Sequence, residues 1–134
     1  MVCVYCGSST QVTNSRLQKR ANTVWRRRAC TKCRAVFSTQ EIAQYTGTWL
    51  IRTGNRRLES FSRDKLFLSI YSSCQHRKTA LSDAAGLTET VMSNLLGQDE
   101  KGIIKAASIK QVAQVALSRF DTVAATHYLA FHKE

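Results

Sequence analysis

The sequence predicts an α+β protein: a small N-terminal β module stapled by a metal, followed by a short β layer packed on about four helices. Three observations predict it. Two Cys-x2-Cys pairs fall within the first 33 residues, a long N-terminal stretch is basic and free of acids, and the remainder carries apolar stripes of helical period set off by capping residues. A chain of 134 residues makes one ordinary domain or two very small ones, and a module of about 40 residues needs a metal or disulfides to hold it. Apolar residues make up 43%, with no proline and only six glycines, which is a globular composition without low-complexity segments. The expected division is residues 1–45 and 46–134.

In the first module, Cys3/Cys6 and Cys30/Cys33 each have the spacing at which a knuckle turn points two thiolates at one ion. Four sulfurs complete a closed tetrahedral Zn2+ site with a structural rather than catalytic role, since no coordination position stays open. Two disulfides, or a redox Cys-x-x-Cys, are the alternatives; the redox reading needs a pair at a helix N-terminus in a thioredoxin-like setting. Gly7 follows the first pair, where such a turn requires positive φ, whereas Arg34 holds the equivalent place after the second. Between the pairs, residues 10–15 and 23–29 read as short strands joined by the basic connection RLQKRAN, a zinc-ribbon layout. Cys74 stands alone on an apolar helical face and reads as core.

Charge is concentrated in the same module. Residues 1–40 hold eight Lys/Arg and no acid, whereas residues 41–134 hold twelve Lys/Arg and nine acids. A polyanion is the natural partner of such a field, and nucleic acid is preferred to membrane because the stretch contains no amphipathic basic helix; a basic surface kept for solubility is the bland alternative. In VWRRRAC, strand alternation sends Val24, Arg26 and Arg28 to one face and Trp25, Arg27 and Ala29 to the other. Arg26 and Arg28 are then the expected phosphate contacts, while Trp25 either packs the ribbon, the preferred role, or stacks on a sugar or base.

The second module opens with TWLIR (48–52) and RLESF (57–61), strand formers flanking a Gly-Asn turn, and reads as a hairpin. Ser62 caps a helix whose inward stripe is Leu66, Phe67, Ile70, Tyr71 and Cys74. A second helix starts near Thr79 or Ser82, turns Leu87, Val91, Met92, Leu95 and Leu96 inward, and stops at Gly97. QDEKGIIKAA reads as a polar loop. Ser108 then caps a third helix bearing Ile109, Val112, Ala116 and Phe120, and Asp121 caps a fourth running through Val123, Ala124, Tyr128 and Phe131.

The order Cys-x-x-Cys-Gly, Asn14-Ser15-Arg16, RRRACTKC, FSTQE and ESFSRDKL resembles the bacterial NrdR family of transcriptional repressors over essentially the whole chain. Asn14 and Ser38 depart from that family's Asp and Thr, and Arg52 and His127 stand where it has Lys and Arg. The resemblance implies a zinc ribbon fused to an ATP-cone, a DNA-binding repressor of ribonucleotide reductase genes whose oligomeric state is set by ATP or dATP. It implies Cys3, Cys6, Cys30 and Cys33 as metal ligands, Arg16, Arg26, Arg27 and Arg28 as contacts to double-stranded operator DNA, and Leu50, Arg52, Glu59 and Lys65 as nucleotide ligands. Read from the residues alone, Glu59 is instead a surface ion-pair partner of Arg63 or Arg57.

A constitutive zinc-ribbon nucleic-acid binder, with the helical part serving only as an oligomerisation scaffold, is the second hypothesis. An enzyme is not expected, for want of an open metal site, paired carboxylates in the basic module or a nucleophile with its base. His76, His127 and His132 lack the spacing of a second metal site. No run of 18 apolar residues occurs and the N-terminus lacks a signal-peptide layout, so the expected setting is the cytoplasm, without a membrane partner.

Overall fold

The computed structural model describes residues 1–98 and 101–132, and the chain separates into two compact units, Met1–Ala43 and Gln44–Glu134. In the first, β1 (Thr10–Gln18), β2 (Thr23–Cys30) and β3 (Val36–Ile42) form an antiparallel sheet in the order β1-β2-β3. β1 runs through Gln18, so Arg16 and Leu17, expected in a connection, are strand residues, and the turn contracts to residues 19–22. Asn22 closes it at φ 50°, a conformation that Asn tolerates better than most residues. β3 was not anticipated as a strand, although Val36, Phe37, Thr39 and Ile42 are all strand formers.

One irregularity controls the register. Val12 pairs with Arg28 but Asn14 pairs with Arg27, so Thr13 is an extra residue on β1, a β-bulge. Its Oγ1 donates to the Arg27 carbonyl at 3.3 Å. Because side chains alternate every residue, the extra one exchanges the faces of everything that follows on β1. Within this unit only Cys3, Cys30 and Thr23 are buried among the described residues, so no aliphatic core supports the sheet.

The second unit has its own three-stranded sheet, β4 (Leu50–Arg52) between β5 (Leu58–Ser60) and β6 (Ile103–Lys105), with four helices: α1 (Arg63–Cys74), α2 (Ala80–Leu95), α3 (Ala106–Phe120) and α4 (Thr122–Phe131). β4 pairs antiparallel with β5 and parallel with β6, and the long crossover that a parallel pair demands is supplied by α1 and α2. Residues 103–105 thus form a strand where a loop was expected; Asp99 and Glu100 of that loop lie outside the described residues. Ile104 is 1% exposed, and its burial anchors the strand. Gly102 makes the entry possible: its φ is +79°, and a Cβ there would stand 3.1 Å from the Thr48 carbonyl oxygen.

Ser62 accepts a hydrogen bond from the Lys65 N–H and so caps α1, and Asp121 accepts from the Ala124 N–H and caps α4. α3 differs from expectation. It starts at Ala106 directly from β6, with Lys105 at the cap position and no side-chain cap, so Ser108 lies inside the first turn. The buried line of α3 is Ala113, Ala116 and Leu117, while Phe120 is 41% exposed and receives the Arg77 guanidinium over its ring at 4.7 Å. On α4, Ala124, Ala125 and Tyr128 are buried, whereas Val123 and Phe131 are exposed. The centre of the core is Ile70, Val91, Leu95 and Leu117, and Cys74 is buried with them as expected. Among the described residues no helix is long and apolar enough to cross a membrane.

Candidate metal centre and ligand sites

The two knuckles bring four thiols into one cluster. All four Sγ atoms of Cys3, Cys6, Cys30 and Cys33 lie within 4.8 Å of one another, with Cys3 to Cys33 at 3.7 Å and Cys6 to Cys30 at 3.5 Å. A Zn–S bond of about 2.3 Å places tetrahedral sulfurs about 3.8 Å apart, so the donor set fits Zn2+ in both chemistry and spacing. Backbone N–H groups support the sulfurs: Tyr5 donates to Cys3, and Lys32 and Cys33 donate to Cys30, each at 3.4 Å. Cys3 and Cys30 are buried and Cys6 and Cys33 exposed.

The thiols of Cys6 and Cys33 are shifted in opposite directions. The Cys6 thiol is drawn down to about 6 by the hydroxyl and backbone of Ser8 and by the Cys30 thiol, against a smaller opposing effect of burial. At Cys33 the Ala35 backbone pulls down, but burial and the sulfurs of Cys30, Cys6 and Cys3 prevail and push it up to about 12. Four adjacent sulfurs resist ionising together without a cation among them. Gly7 closes the first knuckle at φ 72°, and Arg34 adopts φ 61° in the second, the left-handed conformation that glycine would hold without steric cost. Among the described residues no other group of His, Cys, Asp or Glu is arranged to hold a metal. His76 and His127 meet edge to face, with His76 also 3.3 Å from Asp121, and His132 is 2.7 Å from the Ser69 hydroxyl.

The four arginines expected on DNA fall on two faces of the first sheet. Arg26 and Arg28 share a face with Thr39 and Phe37, their β3 partners. There Arg26 donates to Glu41 at 2.8 Å, and Arg28 donates to Thr39 and Thr10 at 3.3 Å each. Arg16 pairs with Trp25 and Arg27 pairs with Asn14 on the opposite face, and both guanidinium groups are exposed. Trp25 is half-buried between Arg16 and Gln40.

In the second unit a groove of about 750 Å³ opens between the β4-β5 hairpin and α1, α3 and α4. Glu59 and Lys65 line it, together with Ile51, Ser62, Lys110 and His132, but Leu50 and Arg52 do not. The register explains the difference: Ile51 pairs with Glu59 and with Ile104, so strand alternation places Leu50 and Arg52 on the other face. The structure therefore brings together two of the four residues expected at a nucleotide. Among the described residues Glu59 makes no ion pair; Arg63 pairs with Glu89 instead, which corrects the alternative reading of Glu59. Sequence reasoning missed Lys110 and Ile51. Lys110 reaches the groove because β6 feeds α3 beneath the hairpin, and the missed strand hid that placement, while Ile51 was one residue of alternation away from Leu50.

A thiol cluster at tetrahedral spacing on a small antiparallel sheet defines a zinc-ribbon protein, here carrying a second, helical unit. Residues 1–41 match the family described as "Transcriptional repressor NrdR-like, N-terminal domain". The chain is 33% identical to the transcriptional repressor NrdR of Opitutus terrae, an alignment that covers 100% of this chain and 88% of that protein. It is also 33% identical to the NrdR of Ruegeria sp., over 99% of this chain and 85% of the relative. Against the NrdR of Bdellovibrio bacteriovorus it is 31% identical, over 92% of this chain and 66% of the longer relative. The chain belongs to the NrdR family of transcriptional repressors.

Proposed function

We propose that this chain represses ribonucleotide reductase genes by binding operator DNA through its zinc ribbon, and that ATP or dATP held in the second unit sets its oligomeric state. The carrying observation is the coupling of a four-thiol cluster to a small sheet in a unit whose residues 1–40 hold eight bases and no acid. A metal fixes that sheet without an aliphatic core, and a rigid cationic sheet binds a polyanion with little ordering cost. In the second unit the groove offers Lys65 and Lys110 for phosphate oxygens and Glu59 for a polar edge, a lining suited to a nucleotide. Because a nucleotide shifts an assembly only through unequal affinity for its states, ATP and dATP must favour different oligomers.

Light scattering of zinc-loaded protein without nucleotide, with ATP and with dATP tests this reading. A mass that changes with the nucleotide is expected, and the change should be lost in Lys65→Ala. A second reading, the constitutive binder with a scaffold in place of a sensor, is favoured by one observation: Leu50 and Arg52 lie outside the groove. An unchanged mass together with no heat on nucleotide titration would establish that second reading.

A further inference from the structure

We propose that the ribbon meets duplex DNA with the sheet face that carries Arg16, Trp25 and Arg27, and that Arg26 and Arg28 hold the sheet rather than the duplex. The inference rests on the DNA-binding reading above and specifies its surface.

Three observations carry it. The first is the bulge. Counting strict alternation from Val12 would put Arg16 on the face of Arg28, but Thr13 shifts the register and moves Arg16 across to pair with Trp25. Arg16 and Arg27 thereby become diagonal cross-strand neighbours, about 7–8 Å apart at their backbones, a separation from which two long side chains reach different phosphates. The second is charge. Glu41, the single acid of the first unit, lies on the Val24 face and is bonded to Arg26 at 2.8 Å. That carboxylate would repel a phosphate brought to the same face. Arg28 is committed to two threonines, and breaking those bonds is a cost that Arg27 does not incur. The third is chemistry. Asn14, Ser38 and Gln40 flank Arg27 and Trp25 by register, so the face offers two guanidinium groups without an ion-pair partner among the described residues, amide and hydroxyl groups able to bond phosphates or base edges, and no acid from the three strands.

The full-length, zinc-loaded chain is titrated with a fluorescein-labelled mixed-sequence DNA duplex across a salt series, and the slope of log K against log salt is read for each variant. Arg16→Gln and Arg27→Gln should each flatten the slope by about 0.9, one released counterion apiece. Arg26→Gln and Arg28→Gln should leave the slope unchanged; zinc content, measured on every variant, shows that the ribbon is still formed. Duplex should quench Trp25 emission, and Trp25→Phe should abolish that quench.

Flattening by Arg26→Gln and not by Arg27→Gln, in zinc-replete protein, would overturn the face assignment. So would equal flattening by all four variants, or an unquenched Trp25 in a bound complex. Quenching by single-stranded DNA or RNA but not by duplex would overturn the choice of partner. A wild-type chain that binds no duplex at any salt would instead sink the DNA-binding reading itself.

Discussion

Removing the metal from the four thiols is expected to unfold residues 1–43 and leave the helices intact. In the first unit Cys3, Cys30 and Thr23 are the buried residues, so the contribution of about 1.5–3 kcal/mol that each buried aliphatic side chain usually makes is missing. Against that, strands of 9, 8 and 7 residues must be ordered at about 1–2 kcal/mol of backbone entropy per residue. Ladder hydrogen bonds, at about 1 kcal/mol each, do not cover that ordering. The unit therefore depends on the metal, whose binding contributes about 10–16 kcal/mol for a structural zinc at neutral pH. The helices of 12, 16, 15 and 10 residues all belong to the second unit, whose core includes four side chains at 0% exposure, Ile70, Val91, Leu95 and Leu117. Chelation should therefore abolish amide-exchange protection along β2 while ellipticity at the helical minimum stays nearly constant. Loss of helical signal in the same transition, or β2 amides still protected after zinc has gone, would refute the reasoning.

Other substitutions probe local conformation and charge. Arg34→Gly should relieve a left-handed residue at φ 61° and tighten zinc binding by about 1 kcal/mol, roughly fivefold in a chelator competition. Gly102→Ala should destabilise the second unit by about 1–2 kcal/mol through its φ of +79° alone, with the contact at the Thr48 carbonyl adding to it, as read by the urea midpoint. Acid should weaken the helical unit through Asp121. The Ala124 N–H first, then Arg77 and His76, hold its carboxyl well below the usual carboxylate range, outweighing the effect of burial. A folded-state pKa below the unfolded value near 4 gives stability that is present above about pH 4 and lost as the pH falls through the folded value. Asp121→Asn keeps a capping side chain but removes the charge, so its melting temperature should fall less steeply below pH 4 than that of the wild type.

Much of this architecture was legible because it is written locally. The knuckles, the Ser62 and Asp121 caps, the β4-β5 hairpin and the burial of Cys74 each depend on residues within a few positions of one another. What escaped depends on partners distant in sequence. β6 is three residues long and becomes a strand only because β4 lies alongside it, so a short apolar pair next to Gly102 read as loop. Phe120 of α3 is partly exposed, with Arg77, from beyond the end of α1, over its ring, a pairing of residues 43 apart that no local pattern shows. The bulge at Thr13 leaves no periodic trace, since polar residues stand on both faces of β1, so the face that Arg16 joins could not be read, whereas alternation along β2 placed Arg26 and Arg28 on one face and Arg27 on the other as found. The groove suffered in the same way: its second lysine, Lys110, is contributed by a helix whose start was set by the unseen strand.

Cys74 has a use that its burial creates. Its side chain is fully enclosed, and burial, with Asp83 and Asp121 nearby, pushes its thiol up, so it does not react while the helices stay packed. The other four thiols are shielded only while they share a cation. Every cysteine in the chain is thus masked, but by two unrelated locks, one opened by a chelator and the other by melting the core. Timed alkylation followed by mass analysis would read the two openings separately in a single untagged molecule, four adducts marking the age of the ribbon's exposure and the fifth that of the bundle's.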